Sequence, residues 1–321
     1  CYKSAMLAGD ARTGIVRART PVLRNRLLNA VSIGIPLAGT AIGVVTWPEF
    51  APSTATLVIT ILLFVINAMA VGIGMHRYFT HSAFETFPAL RAGLAVLGSW
   101  AMQGPIDRWV ADHRRHHRFT DKPFDPHSPY WIDDKPIRSR IRGLLHAHIG
   151  WMLTGDVSDP NRYARDIRDD RITRWASDHY WALCATSLLV PGGLGYAFGG
   201  TAQVVPAVLW AGCFRVALLH QLTWSVNSFG HVFGRKQPGA KDQSRDNPFL
   251  AFMLMGEGLH SYHHRFPAAG VNEPLLLDQN GWLLLGLERI GLVWNLKHYP
   301  EEKPTTDQNA GDKLVQGKGA A

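Results

Sequence analysis

The chain has 321 residues, of which 46% are hydrophobic and 18% charged, with a formal net charge of +8 and three cysteines. Three cysteines without a pairing pattern exclude a disulfide framework and a cysteine-ligated metal, so Cys184 and Cys213 read as small apolar packing residues. The basic excess comes without any nucleic-acid module, which excludes nucleic acid as partner and leaves anionic lipid or an acidic redox protein.

In chain order, residues 1–26 form a basic leader carrying Arg12, Arg17, Arg19, Arg24 and Arg26. Residues 27–47 and 54–74 carry no charge, and each has about the 20 residues a membrane helix needs. The first run starts too late and is too long for a signal peptide, and it lacks a small-residue cleavage site. A shorter apolar run, 89–106, is broken by Arg91 and Pro105 and is expected along the interface. Residues 180–199 form a third uncharged run. The fourth, 203–226, is interrupted by Arg215, His220 and Gln221. Residues 273–296 read as an amphipathic helix and 305–321 as a disordered tail. No strand pattern stands out.

The segments before 27, between 75 and 179, and after 226 hold 32 of the 33 lysines and arginines, while connectors 48–53 and 200–202 hold none. That asymmetry predicts four crossings with both termini in the cytoplasm. The expected architecture is an all-α integral membrane protein, one domain over 1–321, with four transmembrane helices and a cytoplasmic helical cap.

Three boxes hold eight of the fifteen histidines: HRYFTH at 76–81, HRRHH at 113–117 and HSYHH at 260–264. His113, His116 and His117 fall at i, i+3 and i+4, on one face of an α-helix, and His260, His263 and His264 repeat the spacing. His76 and His81 are five apart and do not share a face on a regular helix. They must straddle a site, or the helix end must loosen. Imidazoles at this density suit zinc, iron, copper or nickel rather than magnesium or calcium, and eight supply two ions better than one. The plainer alternative, three patches of surface histidines, leaves unexplained why all three boxes lie on one predicted side of a membrane.

With the flanking segments WVADHRRHHRFTD, DPHSP, HAHIGWML, WSVNSFGHVFG and GEGLHSYHHRFP, the chain resembles the membrane fatty acyl desaturases of the stearoyl-CoA (Δ9) type, in their bacterial form. The resemblance spans most of residues 70–268. It implies a non-haem di-iron centre held by His76, His81, His113, His116, His117, His231, His260, His263 and His264. Asn227 of the NxxxH motif would reach iron through water. It further implies that Gln103, Trp109 and Thr223 hold the bend of the acyl chain. Asp112 and Glu257 stand beside ligand boxes and are expected to orient imidazole N–H groups. His127 is expected in the second shell or a structural role, with His146 and His148. His179, His220 and His298 read as interface or surface residues.

The reaction implied is O2-dependent insertion of a cis double bond, Δ9, into a saturated chain carried as acyl-CoA or membrane lipid. No GxGxxG follows a strand and no haem domain is present, so electrons must come from a ferredoxin or cytochrome b5-type donor with its reductase. The expected location is a bacterial inner membrane with the site on the cytoplasmic side. Some positions depart from the family. Ala111 stands where a basic residue contacts CoA, Gly104 stands where asparagine is expected, and the segment TGDVSDPNRYARDIRDDR is unlike the lysine-rich animal stretch. These keep both acyl-CoA and glycerolipid open as carrier. His260 stands where front-end desaturases have glutamine. The rival readings are a di-iron hydroxylase on the same scaffold and a metal transporter, the latter requiring ionisable groups within the spans.

Overall fold

The computed structural model describes residues 10, 12–153 and 156–299. The expected tail at 305–321 and the first nine residues of the leader lie outside the described residues. Among the described residues, four helices are long and apolar enough to cross a membrane: Arg19–Val45, Thr54–Thr80, Tyr180–Gly199 and Thr201–His231.

The first, α1 (Arg19–Val45), begins inside the basic leader rather than at Leu27, because Pro21 falls in the first turn, where its missing N–H has no intrahelical partner to lose, and nothing else in 19–26 breaks a helix. The second starts at Ser53, whose hydroxyl caps the Thr56 N–H at 3.2 Å. It runs as α2 (Thr54–Met69) and continues without a break as a π-helix, Ala70–Thr80. This extends the predicted span beyond residue 74 and carries His76 and Arg77 into the helix itself. The run at 89–106 becomes one helix, α3 (Pro88–Ser99), and a turn through Pro105, after which α4 (Ile106–Phe119) begins. The third crossing is α5 (Tyr180–Gly199), ended by Gly200 at φ +70°. The fourth is composite: a π segment Val208–Phe214, then α6 (Arg215–Ser228), then a 3-10 turn to His231.

Small residues let these helices touch. Gly39 lies against Cys213 and Gly195 against Gln203 and Ala207, with no room for a Cβ at either. Leu27, Ile42, Ile61, Leu189 and Phe198 face outward, as lipid-facing side chains do. Arg215 is fully buried and ties three spans together. It donates to Ser187 O at 2.9 Å, to Ala211 O at 2.8 Å, and to Asn67 Oδ1. His220 is buried, not at an interface, with Nε2 2.8 Å from Ala101 O.

The remaining elements cap one end of the bundle. The box helix α7 (His260–Arg265) is short, and the expected amphipathic helix at 273–296 is reduced to α8 (Gln279–Arg289). Strands among the described residues are two-residue pairs, such as Ile15–Val16 against Val157–Ser158.

Candidate metal centre

The HxxxxH spacing is resolved by the π-helix. Its hydrogen bonds run from i+5 to i, and His81 N donates to His76 O at 3.2 Å. The wider turn brings both rings to one side, with centroids 5.0 Å apart. Glycines make this stretch possible. A Cβ at Gly72 would collide with Asn280 and Glu257, and one at Gly74 would stand 3.1 Å from Leu94 Cβ.

The boxes converge on two groups. His76, His81, His113, His117 and His263 form one, and His116, His231, His260 and His264 the other, with the donor atoms in each within 4.8 Å of one another. All nine histidines expected as ligands are therefore gathered. Helix α4 sends His113 and His117 to the first group and His116 to the second. Helix α7 sends His263 to the first and His260 and His264 to the second. The close contacts are between Nε2 atoms: His76–His263 at 3.0 Å, His117–His263 at 2.9 Å, His231–His260 at 2.9 Å and His116–His264 at 3.3 Å.

Carboxylates fix the rings from behind. His231 Nδ1 lies 3.0 Å from Asp121 Oδ2, His264 Nδ1 2.9 Å from Asp242 Oδ2, and His116 Nδ1 2.9 Å from Asp125 Oδ1. His76 Nδ1 is bonded to Glu257 Oε2. Burial would raise Glu257, but His76 and the Arg77 guanidinium outweigh it and hold the carboxyl at about 2. Burial is likewise outweighed at Asp242 by the His264 hydrogen bond and at Asp121 by His231, so both are held below the usual carboxylate range. An ionised carboxylate only accepts, so these imidazoles carry a proton on Nδ1 and turn Nε2 into the groups. Asp125 differs: burial, then the charge of Asp121, pushes it up to about 8. A cation beside His116 would reverse that balance.

Burial, reinforced by neighbouring imidazoles, holds His113, His116, His117, His260 and His263 well below the ordinary imidazole range, so these rings are neutral. His81 Nε2 is buried and finds no hydrogen-bond partner. Buried imidazoles gathered in two compact groups, with His81 Nε2 left without a partner, offer nitrogen lone pairs to a cation. The donor set thus fits two metal ions of the imidazole-preferring class.

Of the other expected residues, Glu257, which precedes the third box, bonds His76 of the first. Asp112 does not touch a histidine among the described residues: its carboxylate accepts from Ser158 Oγ at 2.5 Å. His127 stacks on His116 with ring centroids 4.2 Å apart. Gln103 Nε2 donates to Thr223 Oγ1 at 2.8 Å, and Trp109 Nε1 donates to Gln103 Oε1 at 3.2 Å. This trio lines a cavity between α1, α4 and α6 that reaches His76, His113 and His260, with Asn227 on its wall. Asp121, Asp125 and Asp242 were not anticipated. The first two lie within the FTD and DPHSP segments, where a signal was available, whereas nothing in the sequence around Asp242 marks it.

The fatty acid desaturase family model matches residues 52–273. The chain is 36% identical over 269 residues to a hex-5-enoyl-[acyl-carrier protein] acetylenase of Moorena producens, covering 82% of this chain and 83% of that one. It is 31% identical over 262 residues to an sn-1 stearoyl-lipid 9-desaturase of Synechocystis, covering 79% and 75%. It is 30% identical over 227 residues to an acyl-CoA desaturase 1 of Tachysurus fulvidraco, covering 67% and 63%. A match across most of the chain, containing all three boxes and the helices that position them, places this protein in the fatty acid desaturase family.

Proposed function

We propose that the protein inserts a cis double bond, at Δ9, into a saturated fatty acyl chain carried as acyl-CoA or membrane lipid. The observation that carries this reading is the pair of nitrogen-lined groups beside a largely apolar cavity that reaches His76, His113 and His260. His76, His81, His113, His117 and His263 would hold one iron, and His116, His231, His260 and His264 the other, with Asn227 acting through water. When bound, the irons supply activation of O2 with electrons from a ferredoxin or cytochrome b5-type donor.

The chain's own side chains do the rest. Gln103, Thr223 and Trp109 form a hydrogen-bonded bracket that bends the acyl chain so that adjacent carbons face the histidines. Glu257, Asp121 and Asp242 keep the ligand tautomers correct. The basic end of the bundle faces the cytoplasm of a bacterial cell, where the head group stays in water. A second reading is supported by the 36% identity to an acetylenase: a chain already unsaturated and held on a carrier protein could use the same cavity.

The test is expression in a host lacking Δ9 activity, with double bonds located by mass spectrometry and iron counted in the purified protein. A Δ9-unsaturated product and two irons per chain are expected. A hydroxylated product, or activity in iron-free zinc protein, refutes the reading.

A further inference from the structure

We propose that Arg108 anchors the carbonyl end of the acyl donor at the mouth of the cavity and thereby sets which carbons meet the histidines. This rests on the desaturase reading above. Among the described residues lining the cavity, Arg108 is the one lysine or arginine. Its guanidinium hydrogen-bonds nothing among the described residues and forms no ion pair with Asp112, its i+4 neighbour on the same wall. Asp112 is instead bonded by Ser158. Arg108 is partly buried along its side chain, and its guanidinium nitrogens stay open to solvent or to a ligand. That arrangement suits an acceptor supplied by a ligand.

The same cavity is lined by α1, where Asn25 and Asn29 fall at i and i+4 on one face. Asn29 is held in place by donating to Met152 O at 3.0 Å. Leu28, Ile33 and Val71 supply apolar lining beside these polar groups. Position 111 cannot serve instead. Ala111 is fully buried in a cluster with Tyr163 and Ala164, facing away from the cavity.

Spacing decides what Arg108 meets. It precedes His113 by five residues of α4, about 7.5 Å along the axis at 1.5 Å per residue. That rise, together with the length of the arginine side chain, leaves room for several methylenes between a carbonyl held by Arg108 and carbons facing the histidine groups. A guanidinium donating to that oxygen fixes the carboxyl end. The register of the chain is then counted from the carbonyl, whether the carrier is a thioester or a glycerolipid ester.

The experiment uses the iron-loaded protein with an electron-donor system, comparing wild type with Arg108→Gln and Arg108→Lys. The probes are saturated C14, C16 and C18 acyl-CoAs and the matching phosphatidylglycerols in vesicles. Wild type is expected to place the double bond at a constant distance from the carbonyl across all three lengths. The substrate series it uses identifies thioester or oxygen ester as the source. Arg108→Gln is expected to raise KM about tenfold, the worth of one charge-assisted hydrogen bond, and to spread the double bond over neighbouring positions. Iron content and melting temperature should stay unchanged, and Arg108→Lys should recover part of both effects. Unchanged KM and position in Arg108→Gln overturn the proposal, as does a wild-type position that tracks the methyl end. If wild type binds palmitoyl-CoA without desaturating it, the reaction assignment fails. The anchor is then judged on binding, read by tryptophan quenching: weaker binding in Arg108→Gln supports it, and equal binding overturns it.

Discussion

Replacing Glu257 with glutamine separates ligand orientation from simple packing, because the side chain keeps its shape. Glu257 Oε1 accepts from Arg77 Nη2 at 3.0 Å and from Asn280 Nδ2 at 3.0 Å, while Oε2 faces His76 Nδ1. In Glu257→Gln those two donors hold the amide oxygen, so the amide NH2 must face His76. Two N–H groups then oppose each other. His76 relieves the clash by moving its proton to Nε2, which aims an N–H instead of a lone pair at the first histidine group. One of five donors is lost to the metal. Loss of such an orienting partner weakens metal binding by about 10–100-fold, or about 1.4–2.8 kcal/mol. Folding suffers less than the 3–5 kcal/mol typical of a broken buried ion pair, because Arg77 keeps its two bonds to Asp278 at 2.7 and 3.0 Å. The assay is iron per chain after timed exposure to a graded chelator series, alongside turnover and a denaturant melt. Glu257→Gln that retains both irons with wild-type chelator resistance and full turnover refutes the tautomer argument.

Trp109→Ala should keep both irons but lose most activity or shift the double bond, since it removes the donor to Gln103 and the ring stacked on His113 5.2 Å away; full activity at the original position would leave Trp109 a mere space-filler. Accessibility tags in the Asp133–Asp134 turn and at Gly200 should report opposite sides of the membrane, the first cytoplasmic; the same side for both removes the four-crossing topology. In metal-free protein the acid limb should be steep. Above about pH 6.5, folded and unfolded chains both hold His113, His116, His117, His260 and His263 neutral. Below it the unfolded chain binds protons that the buried rings refuse, so stability falls by about 1.4 kcal/mol per pH unit for each ring. Urea midpoints unchanged between pH 7 and 5 would contradict this.

Hydropathy located the four long helices because the membrane requirement is written in composition. It misplaced their ends because helices do not stop where lipid does: α1 begins in the arginines at residue 19, and the second crossing runs through to Thr80. The i, i+3, i+4 histidines were readable as helical faces. The His76–His81 pair showed that a regular helix would fail there, without showing that the answer is a wider turn. Glu257 was legible from its neighbour His260, yet the same reasoning applied to Asp112 gave a residue that bonds Ser158 instead. Adjacency in sequence does not say which way a carboxylate turns. Asp242 reaches His264 across 22 residues, and Arg77 reaches Asp278 across 201. Long-range partners of this kind leave no local periodicity to read.

The division of labour between α4 and α7 bears on how the protein is made. Each short helix feeds both histidine groups, and α7 lies near the end of the described chain. Neither group has its full set of nitrogens until residue 263 or 264 has left the ribosome, by which time all four long helices have been synthesised. A full set of metal-ligating nitrogens therefore has to wait until all four long helices have been synthesised. A nascent chain stalled before the third box would carry four of the five imidazoles of the first group and two of the four of the second. Cells growing with scarce metal should accumulate membrane-inserted, full-length protein awaiting its ions.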